Sequence, residues 1–531
     1  MFDNEVWKKN TEAISWKRYC GFLSLSVSEF MEIQDRLLHE EIELVAQSYL
    51  GKKIMMGAIP GSTKQFRELV PLTTYDNYAS YLNNQQEDVL AQKPDCWART
   101  SGRGGKPKWV PYTERAIDWI GRIGVSTLIL ACASKEGEVR IGEKTRLMQN
   151  LPSRPYYSGV GTFALLKHLP LVMIPPIEKY ENESFEKKVA DSFKLALRSG
   201  VDVLGSLTTV LVKMGERFTE NSGQIKLSWQ MLHPKTISRL SLALLKSKIE
   251  KRSLLPKDLW PLKGLICYGM DTEIYRDQLV YYWGKEPLEI YGGTEMGLIA
   301  TTAWNKKWMT FIPFFSFLEF IPEEEWLKNR NNENYQPSTV LLDEVEVGKR
   351  YELVITNFYG MPFLRYRIGD LVKIVALEDK EAGIKIPQLV FDSRADDLID
   401  IGGFTRLDEK TIWQAVNNTK IKYEDWVIRK EYVGERTVLH LYIEPKEKTE
   451  KRKLEDLVHN ELVLIDQDYK DLENVLGMKI LEVSFLSNGT FLRYYKAQQN
   501  AGADLAHTKP PHMNASEDVL RELLRCSESP K

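Results

Sequence analysis

The chain is poor in the residues that build metal and disulfide frameworks. Its five cysteines, Cys20, Cys96, Cys132, Cys267 and Cys526, are scattered over 531 residues, and none forms a CxxC pair. An odd, dispersed set argues against a disulfide scaffold or a zinc site and fits a reducing compartment. The seven histidines include no HExxH and no close pair with metal-ligand spacing, which argues against a His-based metalloenzyme. No uninterrupted apolar run approaches the roughly 20 residues of a membrane span. The start, Met1-Phe-Asp-Asn-Glu5, lacks the basic segment and apolar core of a secretory signal. A cytoplasmic protein without a membrane span is expected. An excess of one charge is missing too: the net charge is -2, so there is no global pull toward nucleic acid. There is no Gly-x-Ser-x-Gly elbow of an acyltransferase with a Ser-His-Asp triad.

What is present is an ordinary globular composition, 43% hydrophobic and 27% charged, over a length that implies two to four domains. The N-terminal region reads as helical. Ser26 and Glu29 have capping-box spacing, and Phe30, Ile33, Leu37, Ile42, Val45 and Tyr49 follow at helical steps, with Gly51 as the expected stop. Between about residues 140 and 260 apolar runs alternate with helical patterns. Leu171 to Ile174, Leu262 to Cys267, Leu288 to Tyr291 and Phe314 to Ile321 read as strands, and Arg115 to Ala133 and Glu183 to Leu197 as helices. Interleaved strands and helices predict an α/β arrangement. Asn329 to Tyr335 reads as a polar surface loop, and Val345 to Thr356 as a turn and an alternating strand. After about residue 395 the style changes. A half-exposed strand over Thr437 to Ile443, a charged amphipathic helix over Lys451 to Leu464 and a further strand over Met478 to Phe485 predict a smaller α+β domain.

The stretch Thr100-Ser-Gly-Arg-Gly-Gly-Lys-Pro-Lys108 concentrates hydroxyls, glycines and lysines. Glycines let backbone N–H groups converge on an anion, and cations reinforce such a nest. It is not a Walker A loop, because Pro107 stands where Ser or Thr would hold magnesium. Three other segments carry chemistry. In Tyr291-Gly-Gly-Thr-Glu-Met296 the glycines admit a flat ligand, Thr294 offers a hydroxyl, and Glu295 is a hard oxygen ligand. In Phe363-Leu-Arg-Tyr-Arg-Ile-Gly-Asp370 an acidic residue after a glycine turn can accept ribose hydroxyls; taken alone, the stretch reads equally as a hairpin turn with surface arginines. Ser393-Arg-Ala-Asp-Asp-Leu-Ile-Asp-Ile-Gly-Gly-Phe404 lies where the composition changes, as a hinge would.

These four motifs resemble, in order and approximate spacing, those of the adenylate-forming superfamily. Within it the chain is most similar to the auxin-responsive Gretchen Hagen family of acyl acid amido synthetases. Phe317-Leu-Glu-Phe320, Val345 to Thr356, Ser487 to Phe491, Ala501-Gly-Ala503 and Lys509-Pro-Pro511 resemble that family's own segments. The phenylacetate-CoA ligase branch shares the four core motifs. Arg103 and Gly104 depart from the family's loop, the Tyr291 motif lacks the usual Ser, and His512 replaces the Arg expected after the final Lys-x-Pro.

The resemblance implies a large N-terminal adenylate-forming domain of mixed sheets and helices over residues 1–393, a hinge at 394–401, and a small mobile α+β domain over 402–531. It implies ATP-dependent, AMP-forming ligation of a carboxylic acid to an amine, an amino acid above all, with ATP and Mg²⁺ required. Thr100, Ser101, Gly102, Gly105 and Lys106 would hold the outer phosphates. Thr294 would hold the α-phosphate, Glu295 the Mg²⁺, Tyr291 and Gly292 the adenine, and Asp370 with Arg394 the ribose. Lys509 would be the catalytic cation. An acyl-CoA ligase, or a degenerate nucleotide-binding member, are the alternatives. Tyr156, Tyr157, Phe163, Met173 and Trp304 are candidate acyl-pocket residues.

Overall fold

The computed structural model describes residues 12–100, 108–182, 185–220, 233–268, 272–332, 334–395, 398–401, 405–433, 436–467, 469–470, 479–500 and 510–528. These divide into two compact units, one of residues 12–100, 108–368 and 372–391, the other of 369–371 and 392–528.

The first unit opens on helices. Ser26 caps the helix Val27–Val45 through the predicted capping box: Glu29 N–H donates to its hydroxyl, and the Ser26 N–H donates to Glu29 Oε2 at 2.8 Å. Gly51 does not end this helix. The chain turns at Ala46 and begins a second helix, Tyr49–Ile54, with Gly51 inside it. The cause is steric: a Cβ on Gly51 would lie 2.0 Å from the Val45 carbonyl oxygen, so glycine is needed where the new helix passes the old helix's end.

Thirteen strands follow, β1 (Cys96–Arg99), β2 (Trp109–Tyr112), β3 (Arg146–Asn150), β4 (Val172–Ile174), β5 (Val203–Leu207), β6 (Gly264–Tyr268), β7 (Pro287–Gly293), β8 (Gly297–Thr302), β9 (Met309–Phe311), β10 (Ser316–Pro322), β11 (Arg350–Asn357), β12 (Tyr366–Ala376) and β13 (Gln388–Arg394). β1 and β2 form a separate antiparallel pair. The other eleven make one sheet in the order β10-β11-β12-β13-β9-β8-β7-β6-β5-β3-β4. From β4 to β7 the pairing is parallel; β7, β8, β9 and β13 then pair antiparallel. Crossover helices such as Tyr157–His168 and Phe185–Ser199 connect the parallel strands, as parallel pairing requires.

Alternation along these strands feeds two cores. Leu147, Val203 and Ile266 pack with the helices Val27–Val45 and Glu114–Cys132. Their neighbours Met148, Leu204 and Leu265 pack on the opposite face with Ala196, Leu240 and Trp283 from three other helices. Both faces are covered, which is why these strands read as continuous apolar runs. The same holds for β11, buried from Tyr351 through Asn357, so its apparent alternation does not mark a solvent face. The loop expected at Asn329 begins later, because the helix Glu323–Asn331 runs through its first residues.

In the second unit β14 (Ile399–Ile401) and β15 (Thr405–Leu407) form a short antiparallel pair. β16 (Tyr423–Val433), β17 (Arg436–Pro445) and β18 (Leu481–Phe485) form a three-stranded sheet, antiparallel then parallel. Leu439, Leu441 and Ile443 are fully buried. The other face is covered as well, with Val427 and Tyr442 packed against Phe491, Leu520 and Leu523. The strand expected to be half-exposed is thus enclosed by helices. Among the described residues no helix is long and apolar enough to cross a membrane.

Candidate active site

The glycine-rich stretch joins β1 to β2 in sequence, and Arg99 facing Trp109 is the last pair of that hairpin. The neck is closed by Thr100 and Lys108: the Thr100 N–H donates to the Lys108 carbonyl at 2.9 Å, and the Lys108 N–H donates to Thr100 Oγ1 at 3.0 Å. Ser101, Gly102, Gly105 and Lys106 lie outside the described residues, as does Lys509.

Lys108 carries the neck's charge. Its Nζ lies 3.3 Å from Glu295 Oε1 and donates to the Tyr366 hydroxyl at 3.2 Å. It also stands 5.2 Å from the ring centroid of Tyr75 and 5.9 Å from that of Tyr366, close enough for attraction to both aromatic faces. Lys108 was not singled out from the sequence, where it is one of two lysines in a polar run. Its placement follows from the β1–β2 register, which only the fold supplies.

Glu295 and Thr294 sit in the turn between β7 and β8, and side chains from elsewhere pin that turn. The Tyr112 hydroxyl donates to the Thr294 carbonyl, and Asn357 Nδ2 donates to the Glu295 carbonyl at 3.0 Å. Gly292 is required by the close approach of β8, since a Cβ there would meet the Gly297 carbonyl oxygen at 2.3 Å. Tyr291 is buried and its ring packs on Phe391 at 5.8 Å. Burial holds the Tyr112 hydroxyl well above the ordinary phenol range, and pushes that of Tyr75 to about 12. Both are therefore neutral donors at physiological pH, not bases.

Asp370 is not in a turn. It lies within β12, after Gly369, whose φ of +76° suits glycine in an otherwise extended strand. Its Oδ1 is 3.3 Å from Arg394 Nε, so these two predicted residues form an ion pair in the second unit. The first arginine of the motif, Arg365, is not a surface residue. It is 5% exposed and pairs with Glu319, which is fully buried, at 2.9 Å.

Beside the β7–β8 turn lies a cavity of about 150 Å³, lined by Gln149, Tyr157, Gly205, Tyr268, Ile290, Gly292 and Leu298, with Ile120 and Leu128 from the helix Glu114–Cys132. It opens at the carboxyl ends of the parallel strands, where α/β sheets bind ligands. Tyr157 connects it to the turn: its ring stacks on Tyr112 at 5.8 Å, and Tyr112 holds Thr294. The Tyr157 hydroxyl is buried with no partner among the described residues. Of the candidate pocket residues, Tyr157 lines this cavity. Met173 is in the core, Phe163 lies under Arg154 and Lys167, and Trp304 borders a different cavity. Cavity lining drawn from so many elements has no local signature in sequence.

The fold is that of the adenylate-forming enzymes. It is shared with a 2-hydroxyisobutyryl-CoA ligase, at a TM-score of 0.64 and 14% identity over 97% of this chain and 94% of that one. It is shared also with the acyl acid amido synthetase AtGH3.15, at a TM-score of 0.69 and 18% identity over 98% and 97%. The GH3 family N-terminal domain matches residues 21–159 and the GH3 family central domain residues 309–394. Over these two spans the chain is similar to the GH3 family. The 4-substituted benzoates-glutamate ligase GH3.12 of Arabidopsis thaliana is 28% identical over 94% of this chain and 95% of its own length. The match to jasmonoyl-L-amino acid synthetase GH3.5 of Oryza sativa subsp. japonica, 28% identical, covers 50% of this chain and 48% of that protein, so the chain spans about half the length of that relative.

Proposed function

We propose that this chain is an ATP-dependent, AMP-forming ligase. It activates a carboxylic acid to acyl-AMP with release of pyrophosphate, then transfers the acyl group to an amine, an amino acid, to form an amide. The observation that carries this reading is the Lys108–Glu295–Tyr366 cluster at the neck of the β1–β2 hairpin, with a cavity beside the same β7–β8 turn that is lined by Gly292. The relatives support the acceptor: by their names, one joins jasmonate to amino acids, the other benzoates to glutamate.

The chemical obstacle is charge, because a carboxylate must attack an already anionic phosphate. Catalysis then rests on cations and donors held in place where charge accumulates. Lys108 supplies one such cation. Thr100, Ser101, Gly102, Gly105 and Lys106 supply the donors and second cation around the outer phosphates, and Thr294 the hydroxyl for the α-phosphate. Tyr291 and Gly292 border the base, and Asp370 with Arg394 holds the ribose. Lys509 brings a flexible point charge to the reacting carboxylate. The acid's tail occupies the cavity under Tyr157.

Glu295 fits a magnesium ion. It is a single hard carboxylate, and no cluster of three metal-ligating residues exists among the described residues; magnesium on a nucleotide takes one or two carboxylates plus the phosphates. The ion would offset phosphate charge there. Residues 394–401 serve as the hinge between a domain of residues 1–393 and one of 402–531, and the protein works in the cytoplasm.

ATP–pyrophosphate exchange across a panel of carboxylic acids tests the first half-reaction. Product mass after adding mixed amino acids, or CoA, tests the second. Lys108→Met lowers exchange by about a hundredfold, the scale of losing one preorganised charge in such a site, with the circular dichroism spectrum kept. Absence of exchange with every acid, or a thioester as the only product, overturns the proposal.

A further inference from the structure

The small unit holds a buried histidine that the reaction above does not use. His512 is 2% exposed. Its Nδ1 lies against Glu409 Oε1, and its Nε2 is 2.7 Å from Asp425 Oδ1. Glu409 opens the helix Glu409–Asn418 and Asp425 belongs to β16, so two elements converge on one ring. The imidazole stacks on Trp426 with centroids 4.3 Å apart and meets the edge of Trp413 at 5.0 Å. From the helix Thr490–Asn500, the Tyr495 hydroxyl donates to Asp425 Oδ2 at 2.8 Å. Burial first, and Asp425 next, keep that phenol protonated. Among the described residues the ionisable groups facing this arrangement are Glu409, Asp425 and Tyr495, with Glu424 and Glu444 acting on Tyr495, and the two tryptophans add none.

A neutral imidazole offers one N–H and one lone pair. Between two carboxylates it would turn the lone pair on one of them. Only the imidazolium donates to both, so the arrangement selects the charged ring.

The same segment is tied by its backbone. The Ile428 N–H donates to the His512 carbonyl at 2.7 Å, and the Asn514 N–H donates to the Ile428 carbonyl at 2.9 Å. Met513 pairs with Ile428 in a parallel bridge, and Asn514 Nδ2 donates to the Leu398 carbonyl at 3.3 Å. Residues 512–514 thus extend the sheet beside β16. Upstream stand Pro510 and Pro511, whose fixed φ angles stiffen the connection, and before them Lys509.

We propose that His512 is a positioning residue: as an imidazolium between Glu409 and Asp425 it clamps the segment 510–514 to β16, and so sets the anchor from which Lys509 extends. The clamp stands on the geometry alone, and its consequence for Lys509 rests on the function proposed above. The sign follows from which form is held. The folded chain favours the charged ring, so the clamp is complete below the ordinary histidine range near pH 6.5 and is lost as pH rises through deprotonation of the buried ring.

The test uses the full chain and needs no substrate. Side-chain nitrogen NMR of histidine-labelled protein reads the charge state, and with seven histidines His512 is assigned by difference from His512→Gln. Both of its nitrogens are expected to remain protonated at pH 7. Amide hydrogen exchange, corrected for its intrinsic pH dependence, reads the clamp at Ile428 and Asn514. Their protection should fall about tenfold or more once the ring deprotonates, as breaking a buried charge pair implies. In His512→Gln it is low at every pH, and in His512→Arg it stays high across the range. The Leu439 amide, bonded to the Ile480 carbonyl, is the control and does not change. A neutral His512 at pH 7, or Ile428 and Asn514 protection that survives its deprotonation, overturns the proposal. Failure of the ligase reading would leave both measurements untouched.

Discussion

Glu319 and Arg365 show how two sequence motifs acquire one physical meaning. Arg365 donates through Nε and Nη2 to Glu319, and through Nη1 to the carbonyls of Arg67 and Val70 at 2.6 and 2.7 Å. Thr339 Oγ1 donates to the same carboxylate at 2.7 Å. The carboxylate is fully enclosed, so losing its partner strands a charge. Arg365→Ala or Glu319→Ala should each cost about 3–5 kcal/mol in denaturant unfolding, whereas the pair Glu319→Leu with Arg365→Met recovers most of it. Recovery no better than the sum of the single losses would refute the coupling. Phe317-Leu-Glu-Phe320 and Phe363 to Asp370 were legible as separate family segments. Their link was not, because 46 residues separate the partners and only the sheet brings them together. Lys108 illustrates the same limit. The polar run pointed to an anion site, but only the fold brings Lys108 to Glu295.

Elements were more legible than their ends. The capping box at Ser26 and the strands β6, β7 and β10 could be read from local pattern, because each depends on neighbours a few residues away. Gly51 was misread for the opposite reason. A glycine after an apolar period signals a helix stop, yet here Ser48 restarts the chain: its hydroxyl donates to the Val45 carbonyl and accepts from the Gly51 N–H, both at 2.9 Å. Gly51→Ala would force a methyl to 2.0 Å from the Val45 oxygen. It should destabilise the chain by about 1–3 kcal/mol, the usual range for overpacking, as measured by thermal unfolding. An unchanged midpoint would show that the two helices can part at no cost. Asp370 carries a similar lesson. Gly369 looked like a turn but sits in a long strand, since sheet pairing on both sides of β12 overrides the local preference.

Across the whole molecule, the large α/β body and small α+β unit were expected from alternating pattern and a change of style, and both are observed. The sheet order was not readable, because it joins strands far apart in sequence. A global pH response was hidden too. Glu41, on the helix Val27–Val45, is 1% exposed and accepts the Gly360 N–H at 2.8 and 3.1 Å. Burial raises its carboxyl from 4.5 to about 8, despite those bonds. Between these values the folded chain keeps a proton that the unfolded chain releases. Stability from this group is therefore full below pH 4.5 and lost as pH rises through about 8. Thermal unfolding of the wild type and Glu41→Gln from pH 5 to 9 should show the difference between them shifting in favour of the glutamine by a few kcal/mol. A constant difference would mean Glu41 is ionised in the fold.

The place of β13 has a consequence for how the chain is made. It is the last strand of the large sheet in sequence, yet it lies between β12 and β9. Until residues 388–394 leave the ribosome, β10-β11-β12 and the run from β9 to β4 have no common strand, and each shows an open edge. Unpaired edges invite pairing with other chains. A nascent or truncated chain that stops short of Gln388 therefore carries two adhesive borders that the finished protein seals with a single late strand, and the most hazardous moment in its synthesis falls just before that strand emerges.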